Sequence, residues 1–210
     1  MSNFKEEIRA IENKLKGKKS LPIDIKNYFS LLIPLINING SPHLLFENRA
    51  MTLRNQPGEV SFPGGKIEKG ESPREAAIRE SCEELLIDRN KIKILGKGNY
   101  LVNPYRAIIY SHIGLLDLDF EKISPYPGEV ESIFTIPLSF FMKEKPSRYT
   151  MKVNLLRDDN FPYELIMGGK NYKWQRADEE VYFYTYGKNI VWGLTAKMTY
   201  NFVKNLQEKN

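Results

Sequence analysis

One cysteine and two histidines are all that the 210 residues contain of thiol and imidazole metal ligands, and each scarcity excludes a class of chemistry. Cys82 alone forms no internal disulfide, and with only His43 and His112 besides, a zinc site of the usual Cys/His kind cannot be assembled. Long apolar runs are also missing. The longest, Leu31 to Ile38, is interrupted by Pro34 and Asn37 and falls far short of the roughly 20 residues that span a bilayer. Lys5, Glu6, Glu7 and Arg9 stand where a secretory signal would carry its apolar core, so the expectation is a cytoplasmic protein without a membrane partner. Neither internal repeats nor low-complexity linkers divide the chain.

The composition that remains is globular, with 41% apolar and 27% charged residues, enough to fill the core of one domain. Lys plus Arg number 31 against 26 Asp plus Glu, a net charge of +5 that suits phosphorylated ligands without establishing nucleic-acid binding.

Phe4, Ile8, Ile11 and Leu15 recur at spacings of three and four, predicting an amphipathic N-terminal helix that stops near Gly17 and packs as an appendage. Two apolar runs between Ser30 and Ala50, separated by Asn39-Gly40, read as a hairpin. A short strand around Val60 and Phe62 leads into Pro63-Gly64-Gly65, whose glycines permit a backbone path closed to other residues. Ser72-Pro73-Arg74-Glu75 is a helix start with a capping box, and the helix should run from Pro73 to about Leu86. Strands are expected over Ile92–Tyr100, Ala107–Leu118, Glu131–Ile136 and Val181–Tyr186. Pro137–Phe141 reads as a short helix, and Val191–Leu206 as a closing helix with Leu194, Met198 and Phe202 on one side. The expected organisation is a single α/β domain over residues 1–210, with residues 1–29 as the helical appendage.

The central helix carries the most informative chemistry. Glu80, Glu83 and Glu84 stand at i, i+3 and i+4, which puts three carboxylates on one face, with Arg79 offsetting only part of their charge. Like charges at this spacing destabilise a helix, so a compensating cation is implied. Hard oxygen ligands favour Mg²⁺ or Mn²⁺, ions that bridge carboxylates to phosphate oxygens. A solvated acidic face is the bland alternative. His43, His112 and Cys82 read as packed or edge residues. Trp174, Trp192 and Tyr182-Phe183-Tyr184 read as core more readily than as a platform for stacking adenine.

Context favours the cation. Gly65, then Glu71 after five residues, then Arg79-Glu80 after seven more, then Glu83-Glu84 and Ile87 together resemble the Nudix box, the signature of hydrolases that cleave nucleoside diphosphates linked to another group. Ser81 departs from the pattern where an aliphatic residue is usual, and Leu86 where Gly is usual. Upstream, Leu45 to Gly65 looks like the further signature of the coenzyme A pyrophosphatase subfamily, agreeing at Arg49, Leu53, Arg54, Gly58, Val60, Phe62 and Pro63-Gly64-Gly65. Gln56 replaces a usual His there, and Glu47 a usual Thr. Trp192-Gly193-Leu194-Thr195-Ala196 is similar to the closing helix of the same subfamily.

The resemblance implies a Nudix-type α/β/α sandwich around a mixed β-sheet, and metal-dependent hydrolysis of coenzyme A or its derivatives. It implies Glu80 and Glu84 as direct metal ligands, Glu83 as a further or water-mediated one, and the Gly65 carbonyl as a backbone ligand. Arg79 would orient the carboxylates and Glu71 would pair with Arg79. Glu129 is the candidate base or extra ligand, with Glu131 second, and Arg49 and Arg54 are the candidate substrate-phosphate contacts. ADP-ribose, NADH or another nucleoside diphosphate derivative is the rival substrate. A non-catalytic nucleotide sensor and an RNA-end hydrolase are the rivals in function, the latter without an arginine-rich tract to support it.

Overall fold

The structure, a computed structural model, describes residues 2–154, 156–175 and 177–208. The first element is helix α1 (Ser2–Leu15), and its end coincides with the positive φ of Gly17. The helix forms as its spacing predicts, but its apolar stripe is not covered by the described residues. Phe4, Ile8, Ile11 and Leu15 are all exposed.

Strands β1 (Asn27–Ile38) and β2 (Ser41–Arg49) form the expected hairpin, with Asn39 and Gly40 both at positive φ as a two-residue turn of this twist requires. β1 begins at Asn27, inside the segment expected to be appendage. Next come β3 (Val60–Ser61), β4 (Gly64–Lys66) and α2 (Pro73–Leu85). They are followed by β5 (Ile92–Lys97), β6 (Leu101–Asn103), β7 (Ala107–Leu116), β8 (Val130–Pro137) and α3 (Leu138–Lys143). β9 (Ser147–Val153), β10 (Ala177–Tyr186), β11 (Asn189–Trp192) and α4 (Gly193–Gln207) complete the fold.

β1 to β8 form one mixed sheet, in which β1 lies parallel to β7 and antiparallel to β2 and β4. Pro34 sits inside this central strand, where a missing N–H would ordinarily break a ladder. It is tolerated because β4 pairs with Phe29 to Leu31 and β2 takes over at Leu35, so Pro34 falls in the gap between them.

Alternation along the strands supplies two cores. Leu31, Ile33, Leu44 and Phe46 join Phe141, Phe202 and Val203 on the side of α3 and α4. Leu32, Ile36 and Leu45 join Ile78, Leu85 and Ile87 on the side of α2. Helices thus cover both faces, giving the α/β/α sandwich around a mixed sheet. Among the described residues no helix is long and apolar enough to cross a membrane.

Three local expectations are corrected. α4 starts at Gly193, because Asn189–Trp192 pairs with β10 as β11 and Gly193 turns the chain at positive φ. Its inner face is Thr195, Met198, Thr199 and Phe202, while Leu194 is exposed. Tyr182 and Tyr184 are core, but Trp192 is exposed and stacks on Phe183 on the outer side of the small sheet β11-β10-β9.

Candidate active site

The site is built where α2 crosses β4. Ser72 caps the helix, its Oγ accepting from the Glu75 N–H at 3.2 Å, and Pro73 opens the first turn. The reciprocal half of the capping box does not form, because the Glu75 carboxylate pairs with Arg89 instead. Ser81 is fully buried and donates to the Ala77 carbonyl at 2.7 Å. At the other end the helix does not run on towards Asp88 or Asn90. Leu86 itself takes the left-handed conformation, φ 51° and ψ 46°, at the position where the motif usually has Gly.

Arg79 is the organising cation. Its Nε and Nη2 donate to the two oxygens of Glu71 at 3.0 and 3.1 Å, and Nη2 also donates to the Lys66 carbonyl. Its Nη1 lies 2.9 Å from Glu80 Oε1 and 3.0 Å from Glu83 Oε2. The bidentate hydrogen bond to Glu71 holds the Glu71 carboxyl below its usual range, and the same contact with that of Glu80 raises Arg79 further.

The three helix carboxylates descend from solvent into the protein. The side chain of Glu83 is 58% exposed and that of Glu80 17%, while Glu84 is only 5% exposed. Glu84 Oε2 accepts from the Gly64 N–H at 2.8 Å. Burial nevertheless pushes its pKa up to about 8, with the charges of Glu80 and Glu129 adding to the rise and the Gly64 hydrogen bond opposing it. Glu80 is raised in the same direction, again first by burial. Gly65 lies directly against the Glu80 carboxylate, so a side chain at that position would have to displace it.

The turn before β8 closes the site. The Tyr126 N–H donates to the Glu84 carbonyl at 2.8 Å, the Glu129 N–H donates to Tyr126, and the Glu129 carbonyl accepts from Ala50. Glu129 is thereby brought near enough to Glu80 and Glu84 for its charge to act on both. Glu131 lies in β8, exposed, and is not among these neighbours. The two candidate arginines part company. Arg49 is half-buried and its charge acts on Glu84, whereas Arg54 is exposed in the loop after β2.

Sequence reasoning passed over Glu47 as a site residue. It is 1% exposed, and its pKa is raised well above the usual range by burial and then by Glu84. The available signal was its replacement of a usual Thr at a strand position of the same parity as the inward-facing Leu45. His112 is buried with Nδ1 3.3 Å from Ser30 Oγ, and His43 sits 3.2 Å from Thr135.

As they stand, no three acidic, histidine or cysteine side chains among the described residues are grouped closely enough to hold an ion. Glu80 and Glu83 are instead shared by Arg79. The donor set still suits a hard cation: the charges of Glu80 and Glu129 act on Glu84, those of Glu83 and Glu129 on Glu80, and those of Glu84 and Glu129 on Glu47, and Glu47 Oε1 is buried without a partner.

A carboxylate helix over a glycine turn, within an α/β/α sandwich, is the arrangement that the resemblance to pyrophosphohydrolases implies. The chain belongs to the Nudix family: the NUDIX domain profile matches residues 30–152, more than half of its length. An uncharacterized Nudix hydrolase NudL of Photorhabdus laumondii is 30% identical over 192 residues, covering 88% of this chain and 87% of that protein. The mitochondrial coenzyme A diphosphatase NUDT8 of Homo sapiens is 28% identical over 81% of this chain and 65% of its own. The peroxisomal coenzyme A diphosphatase NUDT7 of Mus musculus is 33% identical over 55% of this chain and 49% of its own. In fold, a MutT/nudix family protein from Enterococcus faecalis matches 97% of this chain and 70% of its own, at TM-score 0.50 and 12% identity.

Proposed function

We propose that this Nudix pyrophosphohydrolase hydrolyses the diphosphate linkage of coenzyme A or its derivatives, giving a 4′-phosphopantetheine compound and adenosine 3′,5′-bisphosphate, and that residues 1–210 act as one domain with the N-terminal helix as an appendage. The observation that carries the chemistry is Glu84, a carboxylate buried on the Gly64 N–H beside Glu80 and short of positive charge. Glu80 and Glu84 would hold Mg²⁺ or Mn²⁺, with Glu83 and the Gly65 carbonyl as further ligands. A divalent ion bound there neutralises diphosphate oxygens and acidifies a water. Arg79, fixed by Glu71, orients Glu80 and Glu83. Glu129 accepts the proton of the attacking water from the turn that Tyr126 anchors to the helix end.

Support for the substrate comes from the segment between Arg49 and Gly65 and from relatives named as coenzyme A diphosphatases. The purified protein is tested on coenzyme A, ADP-ribose, NADH and capped RNA with Mg²⁺ or Mn²⁺, the products being resolved by mass. Coenzyme A should be turned over best. Preference for ADP-ribose or NADH would move the substrate assignment, and no turnover of any compound would overturn the enzymatic reading in favour of a sensor.

A further inference from the structure

Four buried side-chain atoms among the described residues lack any hydrogen-bond partner: Glu47 Oε1, Arg49 Nε, Ser61 Oγ and Tyr184 Oη. Three of the four come from one place. Glu47 and Ser61 are directly paired across β2 and β3, and side chains of paired antiparallel residues share a face of the sheet. That face is the one under α2, because Leu45, two residues before Glu47, and Ile133, its partner on β8, both pack in the α2-side core. The charges acting on Glu47 are those of Glu84, Arg49 and Glu129.

A buried carboxylate oxygen without a partner is costly, and cores do not accumulate such groups without a compensating interaction. Arg49 does not supply it, since no ion pair within 4.0 Å joins the two among the described residues. Ser61 Oγ does not supply it either, being itself without a partner. Glu47 has the charge and hard oxygen that a divalent cation takes, and it lies on the side of the sheet from which Glu84 is approached.

We propose that Glu47 is a further carboxylate ligand of the divalent cation held by Glu80 and Glu84, bound directly or through one water, with Ser61 Oγ as a hydrogen-bonding wall of the same pocket. The inference rests on the metal-dependent reading given above. It assigns a ligand from outside the box, on strand β2.

Mn²⁺ binding to the substrate-free protein, followed by the paramagnetic resonance signal of free Mn²⁺, tests it on the parent, Glu47→Gln, Glu47→Thr and Glu80→Gln. Both Glu47 variants should bind Mn²⁺ about tenfold more weakly or worse, the size of loss seen when a supporting group of a metal site is removed. Without metal both should unfold at or above the parent Tm, since each removes a carboxylate with an unpartnered buried oxygen, and their Mn²⁺-induced rise in Tm should shrink. A smaller loss of Mn²⁺ affinity in both variants, or a metal-free Tm below the parent in both, would overturn the assignment and leave Glu47 a structural acid. Mn²⁺ binding lost in Glu80→Gln but kept in the Glu47 variants would overturn this inference alone. A parent that binds no Mn²⁺ would overturn the metal-dependent reading with it.

Discussion

The carboxylate of Glu80 lies so close to the backbone of Gly65 that a β-carbon on that glycine would overlap Glu80 Cδ. Gly65→Ala should therefore push Glu80 aside without straining the backbone, because the atom in the way is the end of a flexible side chain. Hydrolysis should fall by about a hundredfold, as a displacement of about 1 Å in a catalytic constellation does, while Tm changes little. Parent-like activity in this variant would remove the contact from the catalytic argument.

Glu80→Gln and Glu84→Gln keep shape and remove charge. Their proposed role as metal ligands predicts a fall of at least about a hundredfold in hydrolysis for each. Metal-free Tm, read at about pH 9 where Glu84 is ionised, should stay at or above that of the parent, since like-charge repulsion is relieved, and Mg²⁺ should stabilise the parent more than either variant. Steady-state rates and thermal unfolding with and without Mg²⁺ check both statements. Full activity in both would end the mechanism.

The raised pKa of Glu84 makes metal-free stability depend on pH. The folded protein holds this proton up to about pH 8, whereas the ordinary value is 4.5, so stability is fully present below about 4.5 and is lost as pH rises through 8. Glu47 acts in the same direction. In the presence of a chelator, Tm should fall between about pH 4.5 and pH 8, and Glu84→Gln should flatten that slope. A Tm rising across this window in the parent would contradict the burial described for Glu84.

Much of this site is legible in the sequence because its signals are local. Ser72, Pro73 and the spacing of Glu80, Glu83 and Glu84 are read within one helix, and the Asn39-Gly40 turn within one hairpin. What escaped depends on contacts between distant segments. Nothing near Glu47 announces that Glu84 lies opposite it, and β9 has an exposed, mixed sequence that becomes a strand only because β10 pairs with it. The Glu75 side chain was assigned by a local rule, yet Arg89 beyond the helix claims it.

Leu86 ends α2 in a conformation that costs a non-glycine residue about 1 kcal/mol or more, and its side chain is exposed. Leu86→Gly should raise stability by about 0.5–1 kcal/mol with activity kept, and Leu86→Ile should lower it, β-branching being least compatible with positive φ. Chemical denaturation of the three proteins decides the matter. Destabilisation by Gly would mean that Leu86 makes a contact that its exposure does not suggest.

Of the two candidate arginines, Arg54 in the loop after β2 is the one free to meet a ligand, since Arg49, at the end of β2, is half-buried and its charge acts on Glu47 and Glu84. Arg54→Ala should weaken coenzyme A by about tenfold, the worth of one charge-assisted hydrogen bond, and dephospho-coenzyme A less. Equal losses in KM for the two compounds would remove Arg54 from 3′-phosphate recognition.

The parallel pairing of β1 with β7 bears on the order in which the molecule assembles. All of the box, from Gly65 to Ile87, lies in the connection between these two strands, and α2 packs against both. Pairing across so long a connection is slow, because chain closure precedes the contacts that reward it. Hydrolytic competence should thus be among the last properties regained on refolding. A nascent chain that has emerged only as far as Asn103 already displays the complete signature, but not the strand that holds it.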